Sequence, residues 1–370
     1  MKVPFVDLKA QYLSIQPEID QAIASVLTET AFIGGKYVKA FEQAFAELYG
    51  VNNVVSCANG TDSLYIIMKM LGIGKGDEVV TVANSWISSS ETISQTGATP
   101  VFVDIHPIYY SMDETLLEAA ITPNTKAVIL VHLQGQICDV ETIDVICKKR
   151  KIFLIEDCAQ SHFSELSGHR AGLTGIAGSF SFYPGKNLGA YGDAGCIITN
   201  DETLATQCRM YANHGAKIKH QHQFEGINSR MDGLQAAILG AKLPHILEWT
   251  EKRKWVAREY NKALTGIQEI VMPAIRPNSQ HTFHLYVIQA ENRDGLAAHL
   301  KENGIETAIH YPTILPNMQA YQYLGYQSED FPVANALQSK ILSLPIFPEM
   351  TLDQINYTAD CIRNYYQSNK

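Results

Sequence analysis

The sequence predicts an α/β protein: a mostly parallel central sheet sandwiched by helices, followed by a smaller C-terminal α+β domain. Three observations carry this. Short apolar runs alternate with helix-periodic segments over the first two-thirds of the chain. Turn-forming residues separate the two kinds of segment. Beyond residue 248 the alternation gives way to a long charged helix and sparser strands, so the division expected is 1–248 and 249–370.

The elements follow in order. Val54–Cys57 is an apolar run that ends at Ala58-Asn59-Gly60-Thr61, a turn and helix-start signal. Leu64, Ile67, Met68 and Leu71 then recur at helical spacing. The glycine cluster Gly72-Ile73-Gly74-Lys75-Gly76 follows a helix and does not complete GxGxxG, so it reads as a turn. Strands are expected at Glu78–Val82, Pro100–Asp104, Lys126–His132 and Ile152–Ile155, with helices at Ser85–Thr96, Asp113–Ile121 and Val140–Arg150 between them. That rhythm calls for a parallel sheet with helices on both faces. Phe180–Tyr183 and Gly195–Thr199 read as two more strands, and Asp201 opens a helix carrying Leu204, Cys208 and Tyr211. Trp249–Leu264 reads as a connecting helix, His284–Gln289 as a strand and Arg293–Asn303 as a helix.

Composition bounds the function. The 370 residues are 46% hydrophobic and 18% charged, enough for a sizeable core and unlike a disordered chain. A net charge of −9 gives no sign of a nucleic-acid coat or a polybasic membrane face. The seven cysteines are irregularly spaced, with neither a disulfide framework nor a CxxC metal pattern. Reduced thiols in the cytoplasm are the expectation, with no metal, no nucleic acid and no membrane partner. The start of the chain has no apolar signal region, and no stretch approaches the ~20 apolar residues of a membrane span.

Ligands of open α/β sheets sit beyond the carboxyl ends of the strands. Asp157 follows the run Ile152–Ile155, with Gln160 and His162 close behind. Lys186 lies in Ser181-Phe182-Tyr183-Pro184-Gly185-Lys186-Asn187-Leu188-Gly189, where Pro184 and Gly185 force a turn and Gly189, Gly192 and Gly195 let backbone approach a ligand. A partly desolvated lysine has a lowered pKa and acts as an amine nucleophile. A Schiff base to pyridoxal 5′-phosphate (PLP) needs such an amine, and a carboxylate such as Asp157 to keep the pyridine nitrogen protonated. Gly60-Thr61-Asp62 begins a helix whose free N–H groups suit a phosphate; the alternative is an ordinary cap at Thr61. Ser181, on the strand face of Tyr183 by alternation, either adds a hydroxyl there or is a plain strand serine. Lys217–His222 is either a solvated loop or a basic patch for an anionic substrate.

Ala58–Asp62, Glu156–Gln160, Ser181–Gly189 and Gly226–Asp232 occur in an order that resembles the DegT-type sugar-nucleotide aminotransferases, which have the aspartate-aminotransferase fold (PLP fold type I). Pro4–Leu8 and His310-Tyr311-Pro312 match as well, so the resemblance spans nearly the whole chain. It implies that Lys186 forms the Schiff base and shuttles the proton, that Asp157 pairs with the pyridine nitrogen, and that Gln160 bonds the ring hydroxyl. Trp86 then lies over the cofactor, its alternative being core packing. Gly60, Thr61, Asp62 and Ser181 hold the phosphate. Asn228 of the second subunit of a homodimer completes that site. Tyr183, Lys219, His310 and Tyr311 face the substrate. The implied reaction moves an amino group from L-glutamate to a keto group, at C3, of a nucleotide-linked sugar of the dTDP-3-keto-6-deoxyhexose or UDP-3-keto-N-acetylhexosamine kind, for polysaccharides such as lipopolysaccharide O-antigen. Cys158 stands where the family commonly has alanine, and the loop Ala216–Glu225 departs from its pattern. Two other functions suit the same fold. A dehydratase on the same fold would carry histidine in place of Lys186. A regulatory binding protein would have no need of Lys186, Asp157, Gln160 and Asn228 together.

Overall fold

The computed structural model describes residues 1–368. Its main sheet has seven strands: β1 (Asn53–Cys57), β2 (Glu78–Val82), β3 (Thr99–Val103), β4 (Thr125–Val131), β5 (Phe153–Asp157), β6 (Ala177–Ser181) and β7 (Gly195–Thr199). They lie in the order β1-β7-β6-β5-β4-β2-β3, and only β7 runs against the rest. Strands this apolar must be buried on both faces; β7 is buried throughout, as are all of β4 but Lys126 and the last four residues of β1, β2 and β5.

The crossover helices start where side chains cap them. Asp113, Asp139 and Asp201 accept from the backbone N–H of Thr115, Thr142 and Leu204 at the starts of helices Glu114–Ala120, Val140–Arg150 and Glu202–Tyr211. Two boundaries differ from expectation. The helix expected from Ser85 begins at Ser88, because residues 84–86 form the turn that leaves β2. The strand expected at Phe180–Tyr183 is Ala177–Ser181, in register with β5 and β7. Tyr183 therefore lies past the strand, where alternation no longer applies. Proline has no N–H to continue the ladder at 184, and Lys186 N–H turns back to the Tyr183 carbonyl at 2.8 Å.

Three N-terminal helices, Leu8–Ser14, Gln16–Glu29 and Gly35–Tyr49, were not among the expected elements. The third buries Phe41, Phe45 and Tyr49, one side of a helix at four-residue spacing. Those rings meet Phe182, Phe180 and Phe163 with centroids 5.4, 5.6 and 4.8 Å apart. A second apolar core gathers Val256, Tyr260, Tyr286, Ile288, Leu342, Ile355 and Ile362 around the antiparallel strands β8 (Ile270–Val271), β9 (Tyr286–Ala290) and β10 (Ile341–Leu344), and Val3 joins it from the start of the chain. Helices Ile246–Leu264, Arg293–Glu302 and Leu352–Ser368 contribute to it.

Glu156 is fully buried beside Asp157. One oxygen accepts from Thr174 and Gly175 N–H at 2.8 and 2.7 Å, the other from Gly172 N–H at 2.7 Å and His132 Nε2 at 2.8 Å. Burial alone would raise its pKa; the histidine and the backbone donors outweigh burial and hold it below the ordinary value. His132, Glu156 and Cys158 cluster within 4.8 Å, but these bonds, with Cys138 N–H on His132 Nδ1 at 3.2 Å, already occupy the carboxylate and both ring nitrogens. Glu156→Gln turns an amide N–H₂ toward backbone donors. It is expected to cost about 3 kcal/mol of stability, measured as a lower midpoint in denaturant unfolding.

Candidate active site

The carboxyl ends of β4, β5 and β6 open into a cleft of about 440 Å³. Asp157 ends β5 and is buried; its Oδ1 accepts from Ala159 N–H at 3.0 Å. Burial raises its pKa, opposed by that N–H and by the charge of Lys186. Lys186 faces it from the loop after β6. Desolvation pushes the lysine down to about 8, and the negative charge of Asp157 opposes this. Among the described residues lining the cleft, Lys186 is the only lysine or arginine.

The loop that presents Lys186 is closed tightly. Ala190 N–H donates to the Phe182 carbonyl at 2.8 Å. A Cβ at Gly189 would stand 2.3 Å from the Pro184 carbonyl oxygen, so only glycine fits. Asn187 Nδ2 donates to the Thr282 carbonyl at 3.1 Å, and His284 Nδ1 lies 3.3 Å from Asn187 Oδ1.

Opposite lies the N-terminus of helix Gly60–Met70. Its cap is Asn59, whose Oδ1 accepts from Asp62 N–H at 2.7 Å, and not Thr61. Thr61 Oγ1 instead pairs with Ser88 Oγ at 2.7 Å. Gly60 presses on the end of β6: a Cβ there would meet Ser181 Cβ at 2.7 Å. Gly60, Thr61 and Ser181 line the cleft together. Asp62 does not; its carboxylate turns away to accept from Ser229 Oγ at 2.6 Å.

Trp86 is 60% and Tyr183 59% exposed, both on the cleft wall, so Trp86 is no core residue. Gln160 Oε1 accepts from Gln134 N–H at 2.7 Å, and its Nε2 donates to Tyr311 Oη at 2.9 Å. His310, joined to Tyr311 by a cis peptide bond, stacks on Phe5 and holds Ser343 Oγ at 2.8 Å. Burial, then the nearby Lys186 charge, depress His310 to about 4, leaving a neutral imidazole at the cleft. His162 lies behind the site among Phe180 and Phe182, depressed to about 3 by burial. Lys219 and Asn228 are exposed and outside the cleft; Lys219 sits on a small hairpin of Ala216–Ile218 and Gln221–His222 inside the segment expected as a loop.

Four further polar residues line the cleft beyond the expected site residues: Asn59, Ser85, Ser88 and Asp193. Asn59 was legible as a cap, since Asn before a helical run is a start signal. Ser88 carried no signal among its neighbouring serines.

A half-buried lysine facing a strand-end carboxylate, across from a helix N-terminus, makes a site suited to amine chemistry beside an anion. A model of the DegT/DnrJ/EryC1/StrS aminotransferase family matches residues 13–363, and the chain belongs to that family. It is 42% identical to a pleiotropic regulatory protein of Geobacillus stearothermophilus, over 99% of both chains. It is 40% identical to the UDP-2-acetamido-2-deoxy-3-oxo-D-glucuronate aminotransferase of Pseudomonas aeruginosa, over 98% of this chain and 100% of that one. Among solved structures, S. venezuelae DesV in complex with a ketimine intermediate superposes with a TM-score of 0.96 at 38% identity, over 98% of both chains.

In the cofactor-free protein, reductive methylation of Lys186, followed by peptide mass spectrometry, is expected to show a midpoint at about pH 8. Asp157 raises the lysine's pKa, so Asp157→Asn is expected to move that midpoint to lower pH. A midpoint that stays or rises contradicts the pairing.

Proposed function

We propose that this chain is a PLP-dependent aminotransferase that moves an amino group from L-glutamate to C3 of a nucleotide-linked keto sugar. The observation that carries the reading is Lys186, an amine depressed to about 8, facing the buried Asp157. The residues fit the group: Gly60 and Ser181 form a cradle that a Cβ would fill, and the helix N-terminus offers N–H groups with no intrahelical partner. When bound, PLP supplies an electron sink for the carbon that loses its proton.

The side chains divide the remaining work. Lys186 would hold the cofactor through its amine and would be the group in the cleft able to take and return a proton. Asp157 would pair with the pyridine nitrogen and keep it protonated. Gln160, whose Nε2 is held by Tyr311, reaches the ring hydroxyl. Trp86, exposed on the cleft wall, would cover the ring. Gly60, Thr61 and Ser181 take the phosphate, and Asp62 helps by bracing the first helical turn through Ser229. Asn228 completes the phosphate site of the second protomer in a homodimer. Tyr183, His310 and Tyr311 receive the sugar, and Lys219 on its exposed hairpin supplies charge for the diphosphate. The division at residue 248 belongs to the same reading. So does a cytoplasmic place in amino-sugar supply for a polysaccharide such as O-antigen; among the described residues no helix is long and apolar enough to cross a membrane. The run Tyr183–Gly189 and the 3-oxo sugar named for the Pseudomonas relative support C3. The dehydratase reading lacks its histidine, since position 186 is lysine.

The regulatory reading has in its favour the name of the Geobacillus relative. Purified protein separates the two: a visible absorption band and turnover, both lost in Lys186→Ala, support the enzyme. An unchanged spectrum in that variant removes Lys186 from its role. For the shared site, mixing inactive Lys186→Ala and Asn228→Ala proteins is expected to restore activity in heterodimers. No recovery despite proven subunit exchange argues against it. The regiochemistry is tested by running the reaction backwards with 2-oxoglutarate. Glutamate is expected from 3-amino sugar nucleotides; glutamate from 4-amino sugars alone overturns C3.

A further inference from the structure

Helix Gly233–Lys242 follows directly on the Gly226–Asp232 segment and packs against helices Gln16–Glu29 and Gly35–Tyr49. Gln235 and Lys242, seven residues apart, share one face of it. Both grip the same piece of chain, Gly189–Gly192, which joins the Lys186 loop to β7. Lys242 Nζ donates to the Gly189 carbonyl at 2.7 Å and to Gln11 Oε1 at 3.2 Å. It also stands 4.2 Å from the centroid of the Tyr191 ring. Gln235 Oε1 accepts from Tyr191 N–H at 2.9 Å, and a Cβ at Gly192 would come within 3.0 Å of Gln235 Nε2.

Lys242 is fully buried. An ammonium taken out of water is costly unless it is paired and hydrogen-bonded, and an apolar side chain of the same length would fill the space without that cost. Desolvation pushes this lysine down to about 8, and the charge of Glu349 opposes it. What the charge gains is a strong, directional bond to the carbonyl of Gly189. That residue closes the loop with no room for a side chain, so a pull on its carbonyl is passed to Pro184 and Lys186 through a rigid turn.

We propose that Lys242 is a positioning residue for Lys186: together with Gln235 it clamps Gly189–Gly192 and so fixes the loop from which Lys186 reaches the Asp157 side of the cleft. The inference rests on Lys186 being the reacting amine, as in the function above. It adds a second lysine that never touches substrate or cofactor and acts only through the backbone.

The test uses full-length Lys242→Met and Gln235→Leu proteins, with two readouts. In the holoenzyme, Lys242→Met is expected to lower kcat about ten-fold while KM for the amino donor stays within roughly two-fold. In the cofactor-free protein, hydrogen exchange of the 183–192 peptide is expected to rise about ten-fold, with β4 and β5 unchanged. Gln235→Leu should move both readouts the same way by less. An unchanged kcat, or exchange that rises across the sheet alike, overturns the proposal. Should Lys242→Met fail to fold, Gln235→Leu decides: unchanged kcat or unchanged local exchange overturns it. Turnover that survives Lys186→Ala would instead sink the function itself, whatever Lys242 does.

Discussion

The site depends on one close approach: the start of helix Gly60–Met70 lies directly on the ends of β6 and β7. A Cβ at Gly195 would stand 2.4 Å from the Asn59 carbonyl carbon, and one at Gly60 would stand 2.7 Å from Ser181 Cβ. Glycine in a strand or helix is destabilising by roughly 0.5–1 kcal/mol relative to alanine. What it permits here is a helix N-terminus placed against the strand ends, facing the same cleft as Lys186 and Asp157. Any side chain at either position would push the helix away from the sheet, and with it the N–H groups that suit an anion.

Two neighbouring acids show how the sheet separates structure from chemistry. Glu156 and Asp157 are successive residues of β5, so their side chains leave on opposite faces. Glu156 meets four donors and anchors the 172–175 turn. Asp157 has the Ala159 N–H and the charge of Lys186, with an open cleft before it. One carboxylate is committed to the fold and the other faces the open cleft. The balance also sets the lysine: desolvation lowers its pKa to about 8, while Asp157 limits how far it falls.

Much of this was legible in the sequence. The strand–helix alternation predicted the parallel sheet because fully buried strands are apolar runs, and the capping aspartates fixed several helix starts close to where they lie. Lys186, Asp157, Gln160, His310 and Tyr311, far apart in the chain, do meet in one cleft. What escaped had physical reasons. Alternation cannot tell where a strand ends, so Tyr183 was placed on a face that β6 does not extend to. Asp62 resembled a phosphate ligand by position, yet Ser229, 167 residues away, claims its carboxylate. Lys242 carries no signal in the sequence, because nothing local announces that Gly189 and Tyr191 will fold over it. Phe41, Phe45 and Tyr49 carried a readable four-residue rhythm, and the helix they define could have been found.

The central claim is that Lys186 is the amine that bonds the cofactor. Borohydride reduction of the purified holoenzyme makes that bond permanent, and peptide mass mapping then finds it. The account predicts a single pyridoxyl-phosphate adduct on the peptide that contains Lys186. An adduct on Lys242, or on any other lysine with Lys186 unmodified, would contradict it.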